Sequence, residues 1–325
     1  MKDLLLVELT RLRWRRAVVV LLIGCLLVPI AIWAGTAWNT RPFSDADVAA
    51  AERLAQSEAD QPYIEEEIAR CEEDPQMYGG SADVDCVELI TPSAENYLYR
   101  QTLDLGSVLD NEALAVVSLL AILLLILGTT FVGHDWNTGS ISNQLLFEPR
   151  RQRVWAAKGL AVLLVGLVAG AVALLVFWSA IAVVLGQRDI AVEAGQWAAV
   201  RNSSGRGVLL IALAGVLGYA LTMLLRSTVA TLGIGLGVAA AGSLAVVAVF
   251  GEGSQRWLLP TNAFAVLNNG YDYYVYSPAC DTMVVGGSDP CTQTISLGAG
   301  SAYLAVVLVV VVAASVLSFR RRDLP

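Results

Sequence analysis

The chain has 325 residues, of which 56% are hydrophobic and only 15% are charged. Ordinary soluble domains are less apolar and more charged, so this composition predicts an integral membrane protein. The formal net charge of −8 comes mainly from segments between the apolar blocks. It therefore gives no reason to expect nucleic acid as a partner.

Six apolar blocks are each long enough to cross a bilayer, because about 20 residues at ~1.5 Å rise span the ~30 Å hydrocarbon core. We predict an all-α integral membrane protein with six transmembrane helices and both termini on the same side. The predicted spans are 17–35, 112–133, 156–186, 207–225, 227–250 and 301–319. The segments outside the spans are 1–16, 36–111, 134–155, 187–206, 251–300 and 320–325.

The distribution of charge predicts the orientation. With both termini inside, 13 of the 21 Lys and Arg residues lie on the cytoplasmic side, but only 5 of the 29 Asp and Glu residues do. Basic residues in short loops stay cytoplasmic. We therefore expect a multi-pass protein of the cell membrane with cytoplasmic N and C termini. The inverted topology would expose Arg320–Arg322 outside, and we reject it.

Residues 1–16 precede the first span and are predicted to form an interfacial helix. Leu5, Leu9 and Leu12 recur at helical spacing, while Glu8, Arg11 and Arg15 cover another face. The alternative is a plain basic flank that sets topology. A cleaved signal peptide is a further alternative for residues 11–35, although the length of the run and its Trp-rich end favour an uncleaved span.

Residues 36–111 form a predicted acidic domain on the outer side, too charged to enter lipid. Ser44 to Asp47 matches a capping box, and Pro62 is expected to break the helix that follows. Cys71 and Cys86 lie here, Cys280 and Cys291 lie in the last outer loop, and Cys25 is alone in the first span. Four cysteines allow three pairings, and sequence separation favours Cys71–Cys86 and Cys280–Cys291. A zinc site is disfavoured, because neither pair has metal-type spacing.

The polar segment between the second and third spans, residues 134–155, is the most informative part of the chain. Asn137 to Gly139 is a turn signal, and Ser140 is a suitable N-cap for a short helix over Ser140–Phe147 that ends before Pro149. A basic topology anchor is the simplest interpretation. The order of residues also resembles the cytoplasmic loop of ABC-2 type permeases, the membrane subunits of ATP-driven exporters. The residues that match are Asp135, Gly139, Ser140, Leu145, Leu146, Pro149, Arg150, Arg153, Ala157 and Lys158.

The resemblance implies a coupling helix on which ATPase subunits dock. The family usually has Glu at the position of Asp135 and Thr at that of Ser140, so the role of the loop is better supported than that of either side chain. Leu146 and Phe147 are the expected apolar contacts with the ATPase. The N-terminal segment is similar to the family's elbow helix. The implied partners are cytoplasmic ABC ATPases, a second permease subunit (identical or not) and membrane lipids.

Nucleotide chemistry is not expected on this chain. A phosphate-binding Walker loop needs a lysine after its glycines, and the only lysines are Lys2 and Lys158. The chain is thus predicted to be no enzyme and to carry no cofactor, with ATP and Mg²⁺ held by the partner ATPase. The alternative is a membrane-bound transferase or a sensor that uses the acidic outer domain, with Asp45 and Asp47 as the candidate carboxylates.

Two further patterns concern packing. Gly166-x-x-x-Gly170 and Gly233-x-x-x-Gly237 predict close approach of membrane helices. Residues 257–267 in the last outer loop are apolar enough for a short re-entrant helix, which also occurs in the permease family. An interfacial aromatic belt explains the same residues, and both interpretations stay open.

Overall fold

The computed structural model describes residues 2–78, 85–276, 280 and 291–321. Its α-helices, in chain order, are α1 Lys2–Arg13, α2 Arg16–Asn39, α3 Asp45–Ala59, α4 Pro62–Glu73, α5 Cys86–Ile90, α6 Leu105–Asp110, α7 Glu112–Asn137, α8 Ser140–Phe147, α9 Arg151–Gln187, α10 Gln196–Leu225, α11 Thr228–Leu236, α12 Ser243–Phe250, α13 Leu259–Leu267 and α14 Leu297–Arg321. The 3₁₀ helices are Pro75–Tyr78, Ala94–Tyr97 and Glu252–Trp257.

Five helical segments of the described chain are long and apolar enough to cross a membrane. They are Arg16–Asn39, Leu105–Asn137, Arg151–Gln187, Gln196–Leu225 and Leu297–Arg321. Each has a predicted span inside it.

The fifth predicted span, residues 227–250, is not found as a single α-helix. Between α11 and α12 the chain forms a π-helix over Gly237–Gly242. Gly233, Gly235, Gly237 and Gly242 lie in or beside this segment, and glycine weakens the preference for regular α-helix. The described chain thus has five regular spans, and a helical segment of mixed type lies between the fourth and the fifth of them.

The prediction of an all-α fold also needs a correction, because the protein is mostly helical but has a small sheet. Strands β1 Tyr271–Tyr274 and β2 Thr292–Ile295 pair antiparallel, with Tyr271 opposite Ile295. Tyrosine, threonine and isoleucine favour strands. Tyr273 and Ile295 are buried against Ala265 of α13, so packing on that helix stabilises the sheet.

The chain divides into two compact units: residues 1–34 with 104–325, and residues 35–103. In the second unit, the Ser44 side chain accepts a hydrogen bond from the Asp47 amide, and Asp47 accepts from the Ser44 amide. The predicted capping box is thus confirmed. The backbone and side-chain hydrogen bonds from Ser44 lower the pKa of Asp47. Pro62 begins α4, as expected of a residue that ends the preceding helix.

Both predicted disulfides are confirmed. Cys71 bonds to Cys86, Cys280 bonds to Cys291, and Cys25 is free and buried. The first bond closes a loop with a sequence separation of 15. Loop-closure entropy gives such a bond about 3 kcal/mol of stability in the second unit.

Helix α10 is the centre of the first unit. A Cβ on Gly128 of α7 would lie 2.1 Å from the Gly215 carbonyl oxygen, and one on Gly207 would lie 2.9 Å from Val117. These contacts advance in the same direction along both helices, so α7 and α10 run parallel. Only glycine permits so close an approach of the two backbones.

The predicted packing role of Gly166 and Gly170 is confirmed. A Cβ on Gly166 would lie 2.8 Å from Ala212 Cα, and one on Gly170 would lie 3.3 Å from Ile211. Helix α9 therefore packs closely on α10. For Gly233 and Gly237, in contrast, no other described atom of the chain lies within 4 Å of the position of a Cβ. Their predicted packing role has no counterpart within the described chain.

Candidate functional site

Helix α8 is attached to α7 by a turn that needs glycine. Gly139 has φ 66°, a left-handed conformation that other residues rarely adopt. Gly139 is also the N-cap of α8. The predicted range of the helix is confirmed, but the prediction that Ser140 is its N-cap is wrong. Ser140 is the first helical residue, and its hydroxyl accepts a hydrogen bond from Arg11 instead.

A buried group of charges lies beside this turn. Lys158 Nζ is 2.6 Å from Asp135 Oδ2 and 2.9 Å from Glu8 Oε2, and all three side chains are 0% exposed. The ammonium is also 5.3 Å from the centre of the Phe131 ring. Removing any one partner from such a group leaves a buried charge without compensation. The three residues come from α9, α7 and α1, so the group joins three helices.

Two arginines of the N-terminal segment complete this charge cluster, which we define as Glu8, Arg11, Arg15, Asp135 and Lys158. Arg15 forms an ion pair with Asp135 Oδ1 and donates to the Phe131 carbonyl oxygen. Arg11 lies 3.4 Å from Glu8 Oε1 and 3.8 Å from Asp135 Oδ1. The cluster thus contains three cations and two carboxylates, and its two arginines are the members that reach solvent.

Helix α8 is bonded to the charge cluster on one side. Gln144 Nε2 donates to Glu8 Oε1 at 2.6 Å, and Gln144 Oε1 accepts from Arg11 at 3.4 Å. Ser140 accepts from Arg11 as well. Ile141 of the same helix is 1% exposed. Side chains on this face therefore fix α8 to α1 and to the ends of α7 and α9.

The other side of α8 is apolar and open. Leu146 is 81% exposed and Phe147 is 91% exposed. The chain that follows α8 is exposed at Pro149, Arg150 and Arg153, and the two arginines make it basic. Arg153 has only a long contact, 3.9 Å, with Glu148. Helix α8 thus presents two large apolar side chains next to exposed basic groups.

The structure separates the sequence-predicted residues into two sets. Asp135, Ser140 and Lys158 come together in or beside the charge cluster, where Asp135 and Lys158 are inaccessible. Leu146, Phe147, Pro149, Arg150 and Arg153 lie on the exposed surface. The docking role of either set stays a prediction.

Sequence reasoning missed the N-terminal half of the site. Glu8, Arg11 and Arg15 were expected on a polar face of the interfacial helix, but Glu8 is fully buried. The signal was their helical spacing, which puts one acid and two bases on a single face. Gln144 was missed because nothing local distinguishes it. No group of three or more His, Cys, Asp or Glu residues that could hold a metal occurs within residues 2–78, 85–276 and 291–321 or at residue 280.

The five long apolar helices, with a polar connection between α7 and α9, define a multi-pass membrane protein. Its family follows from the sequence. Residues 97–325, well over half of the chain, match the family model described as "Protein of unknown function (DUF2705)", so the chain belongs to that family. The matched part includes Asp135 and Lys158 but not Glu8. No curated protein and no solved structure matches the chain.

Proposed function

We propose that this chain is the membrane permease subunit of an ATP-driven exporter, energised by separate ATPase subunits that dock on α8. The observation that carries the proposal is the two-sided character of α8. Its exposed side offers Leu146 and Phe147, and large apolar anchors provide much of the energy of protein interfaces. Arg150 and Arg153 are available for acidic groups of the partner or for lipid phosphates.

The other side of α8 supports a role in transmission. Gln144 and Ser140 join α8 to Glu8 and Arg11 of α1, and Lys158 joins Glu8 to α7 and α9. A partner that moves α8 would therefore move α1 and the adjoining ends of two spans together. This arrangement suits a coupling helix, because packed elements transmit displacement.

In this proposal α8 and both termini face the cytoplasm of a cell-membrane protein, in agreement with the basic residues of the short loops. ATP and Mg²⁺ bind to the partner, and the chain has no nucleotide site of its own.

Two permease subunits are proposed for each transporter. In each subunit, the segment from α11 to α12 crosses the membrane as an additional span between α10 and α14. The support is the unoccupied face of α11, where positions Gly233 and Gly237 have no described neighbour within 4 Å. Small residues at one-turn spacing permit close helix contacts, and a second copy or a homologous subunit would supply them.

The test is co-purification from native membranes. Tagged wild-type chain should retain a Walker-type ATPase, identified by mass spectrometry and by ATP hydrolysis in the eluate. Leu146→Asp combined with Phe147→Asp should remove the ATPase, since two buried carboxylates would replace the apolar contacts. The matched control is Val87→Asp with Leu89→Asp, two residues of the other unit that are 52% and 53% exposed.

Gel filtration of each variant shows whether the chain is still folded. The proposal is wrong if wild-type chain brings down no ATPase, as a transferase or a sensor would behave. It is also wrong if the folded α8 double variant retains the ATPase as fully as the control does.

A further inference from the structure

A polar pocket of about 240 Å³ lies between α6, α10 and the end of α13. Its lining residues are Leu109, Asp110, Ala199, Asn202, Ser203, Arg206, Leu267, Asn268 and Asn269. The proposed coupling function uses none of these residues. The pocket adjoins the N-terminal part of α10, whereas α8 lies beyond the C-terminal end of α7, which runs parallel to α10. It is thus at the other end of the helix bundle.

Arg206 is the main cationic group of the pocket. Its Nη1 is 3.1 Å from Asn269 Oδ1, and its Nη2 is 2.9 Å from the Leu267 carbonyl oxygen. Its Nε is buried and has no acceptor among the described residues. Buried donors in folded proteins nearly always have a partner. The guanidinium is therefore held in place by two hydrogen bonds to neutral oxygens, and it forms no ion pair with a carboxylate among the described residues, so its positive charge is open to an anionic ligand.

The segment after α13 holds the amides of the pocket in position. Asn269 has φ 61° and Gly270 has φ 137°, left-handed conformations that asparagine and glycine tolerate best. Because the Asn269 oxygen accepts from Arg206, its amide nitrogen remains a donor. Asp110, which is exposed, adds a carboxylate to the lining. The pocket thus combines donors for an anion with one acceptor for a cation, as a zwitterionic group requires.

A separate apolar cavity of about 380 Å³ lies farther along the same face of α10. Leu209, Leu210, Leu213 and Leu217 line it, at helical spacing from Arg206. The opposite walls belong to α13, through Leu259 and Val266, and to α14. From Arg206 to Leu217 the helix rises about 16 Å, because each residue adds ~1.5 Å. This length suits an extended hydrocarbon chain.

We propose that the two cavities together bind one zwitterionic phospholipid. Its phosphate meets Arg206 and the Asn269 amide, its amine meets Asp110, and one acyl chain lies along α10 between α13 and α14. A water-soluble zwitterion would leave the apolar cavity unused, and a hydrocarbon alone would leave the Arg206 guanidinium without an anionic partner. Only an amphiphile satisfies both. The inference does not depend on docking of an ATPase.

The test is native mass spectrometry of the full-length protein, delipidated in detergent and titrated with defined lipids. Phosphatidylethanolamine should bind, and Arg206→Gln should weaken it about tenfold, the effect of one lost charge-assisted contact. The control is Arg201→Gln, which removes an exposed arginine of the same helix and should bind as wild type. Phosphatidylglycerol, which lacks the amine, should bind more weakly than phosphatidylethanolamine.

A second variant protects the test against misfolding of the first. Asp110→Asn changes an exposed residue and should remove the preference for phosphatidylethanolamine over phosphatidylglycerol. Glycerophosphoethanolamine, the headgroup without acyl chains, should not displace the lipid at equal concentration. The proposal is overturned if Arg206→Gln and Arg201→Gln bind alike, if Asp110→Asn keeps the preference, or if the free headgroup competes as well as the lipid.

Discussion

Lys158 and Arg206 are two basic residues toward opposite ends of the antiparallel helices α9 and α10, and they are paired very differently. Lys158 is fully buried, with carboxylates at 2.6 and 2.9 Å and an aromatic ring beside it. Arg206 makes two hydrogen bonds to neutral oxygens, and its Nε has no acceptor in the described part of the chain.

The difference separates two uses of a cation between membrane helices. The charges around Lys158 are satisfied within the chain, so a ligand there would have to displace an existing ion pair. They are suited to holding helices together. Arg206 meets no carboxylate at ion-pair distance within the described residues, so its charge is suited to binding an anionic group. We therefore assign stability and transmission to the charge cluster and ligand binding to the polar pocket.

The largest expected effect is that of Lys158→Met, which removes the fully buried cation between Glu8 and Asp135 and leaves them only the two partly exposed arginines. We expect a loss of about 3–5 kcal/mol, the usual cost of breaking a buried pair. The measurement is thermal unfolding of the purified chain, followed by gel filtration. Arg153→Met, at an exposed position of the same helix, is the control and should unfold with wild type. If the two variants melt at the same temperature, the buried Lys158 contributes no more stability than the exposed Arg153 does.

Neutral partners should partly restore the first variant. Lys158→Met combined with Glu8→Gln and Asp135→Asn removes the three fully buried charges, and the two arginines that lose their carboxylates are partly exposed to solvent. We expect the triple variant to be more stable than Lys158→Met alone. A triple variant that is less stable would show that packing, and not charge, is what Lys158 contributes.

The next largest effect concerns the parallel pair α7 and α10, which connects the two regions. A methyl group on Gly128 would overlap the Gly215 carbonyl oxygen at 2.1 Å. Gly128→Ala should therefore cost about 1–3 kcal/mol through overpacking. Gly205→Ala is the matched control on α10, because no other described atom lies within 4 Å of the position of a Cβ on Gly205. If both alanine variants melt as wild type does, the two helices are not rigidly packed.

The smallest effect is expected at Arg11, and a comparison with Arg15 separates the two arginines of the cluster. Side-chain exposure is 17% for Arg15 and 32% for Arg11. Arg15→Gln should cost about 1.5–3 kcal/mol, as for a hydrogen bond to a charged group. Arg11→Gln should cost less than about 1 kcal/mol, since partly exposed pairs contribute little. The same melting assay ranks the two variants. If Arg11→Gln costs more than Arg15→Gln, the hydrogen bonds of Arg11 with Ser140 and Gln144 contribute more stability than the ion pair of Arg15 with Asp135.

Local sequence signals predicted local structure well. The range of α8, the capping box at Ser44, the break at Pro62 and both disulfides were all predicted from residues close together in the chain. Gly166 and Gly170 were predicted from one-turn spacing alone. In each case the residue's own geometry or a nearby partner determines the outcome.

Long-range pairing explains what the sequence did not reveal. Glu8 and Lys158 are 150 residues apart, and neither has a local pattern that points to the other. The strands β1 and β2 were missed for the same reason, because the tyrosines of β1 also fit an aromatic belt. The π-helix within the fifth predicted span was missed because hydropathy does not distinguish helix types.

The wide separation of Glu8 and Lys158 has a consequence for biosynthesis. Glu8 leaves the ribosome before its counterion Lys158, which lies 150 residues further along the chain. Asp135 and Lys158 follow from opposite sides of the α8 connection. The N-terminal carboxylate therefore stays hydrated until the helices bearing Asp135 and Lys158 have been inserted. Closure of the ion pairs then marks the moment at which α1, α7 and α9 have come together.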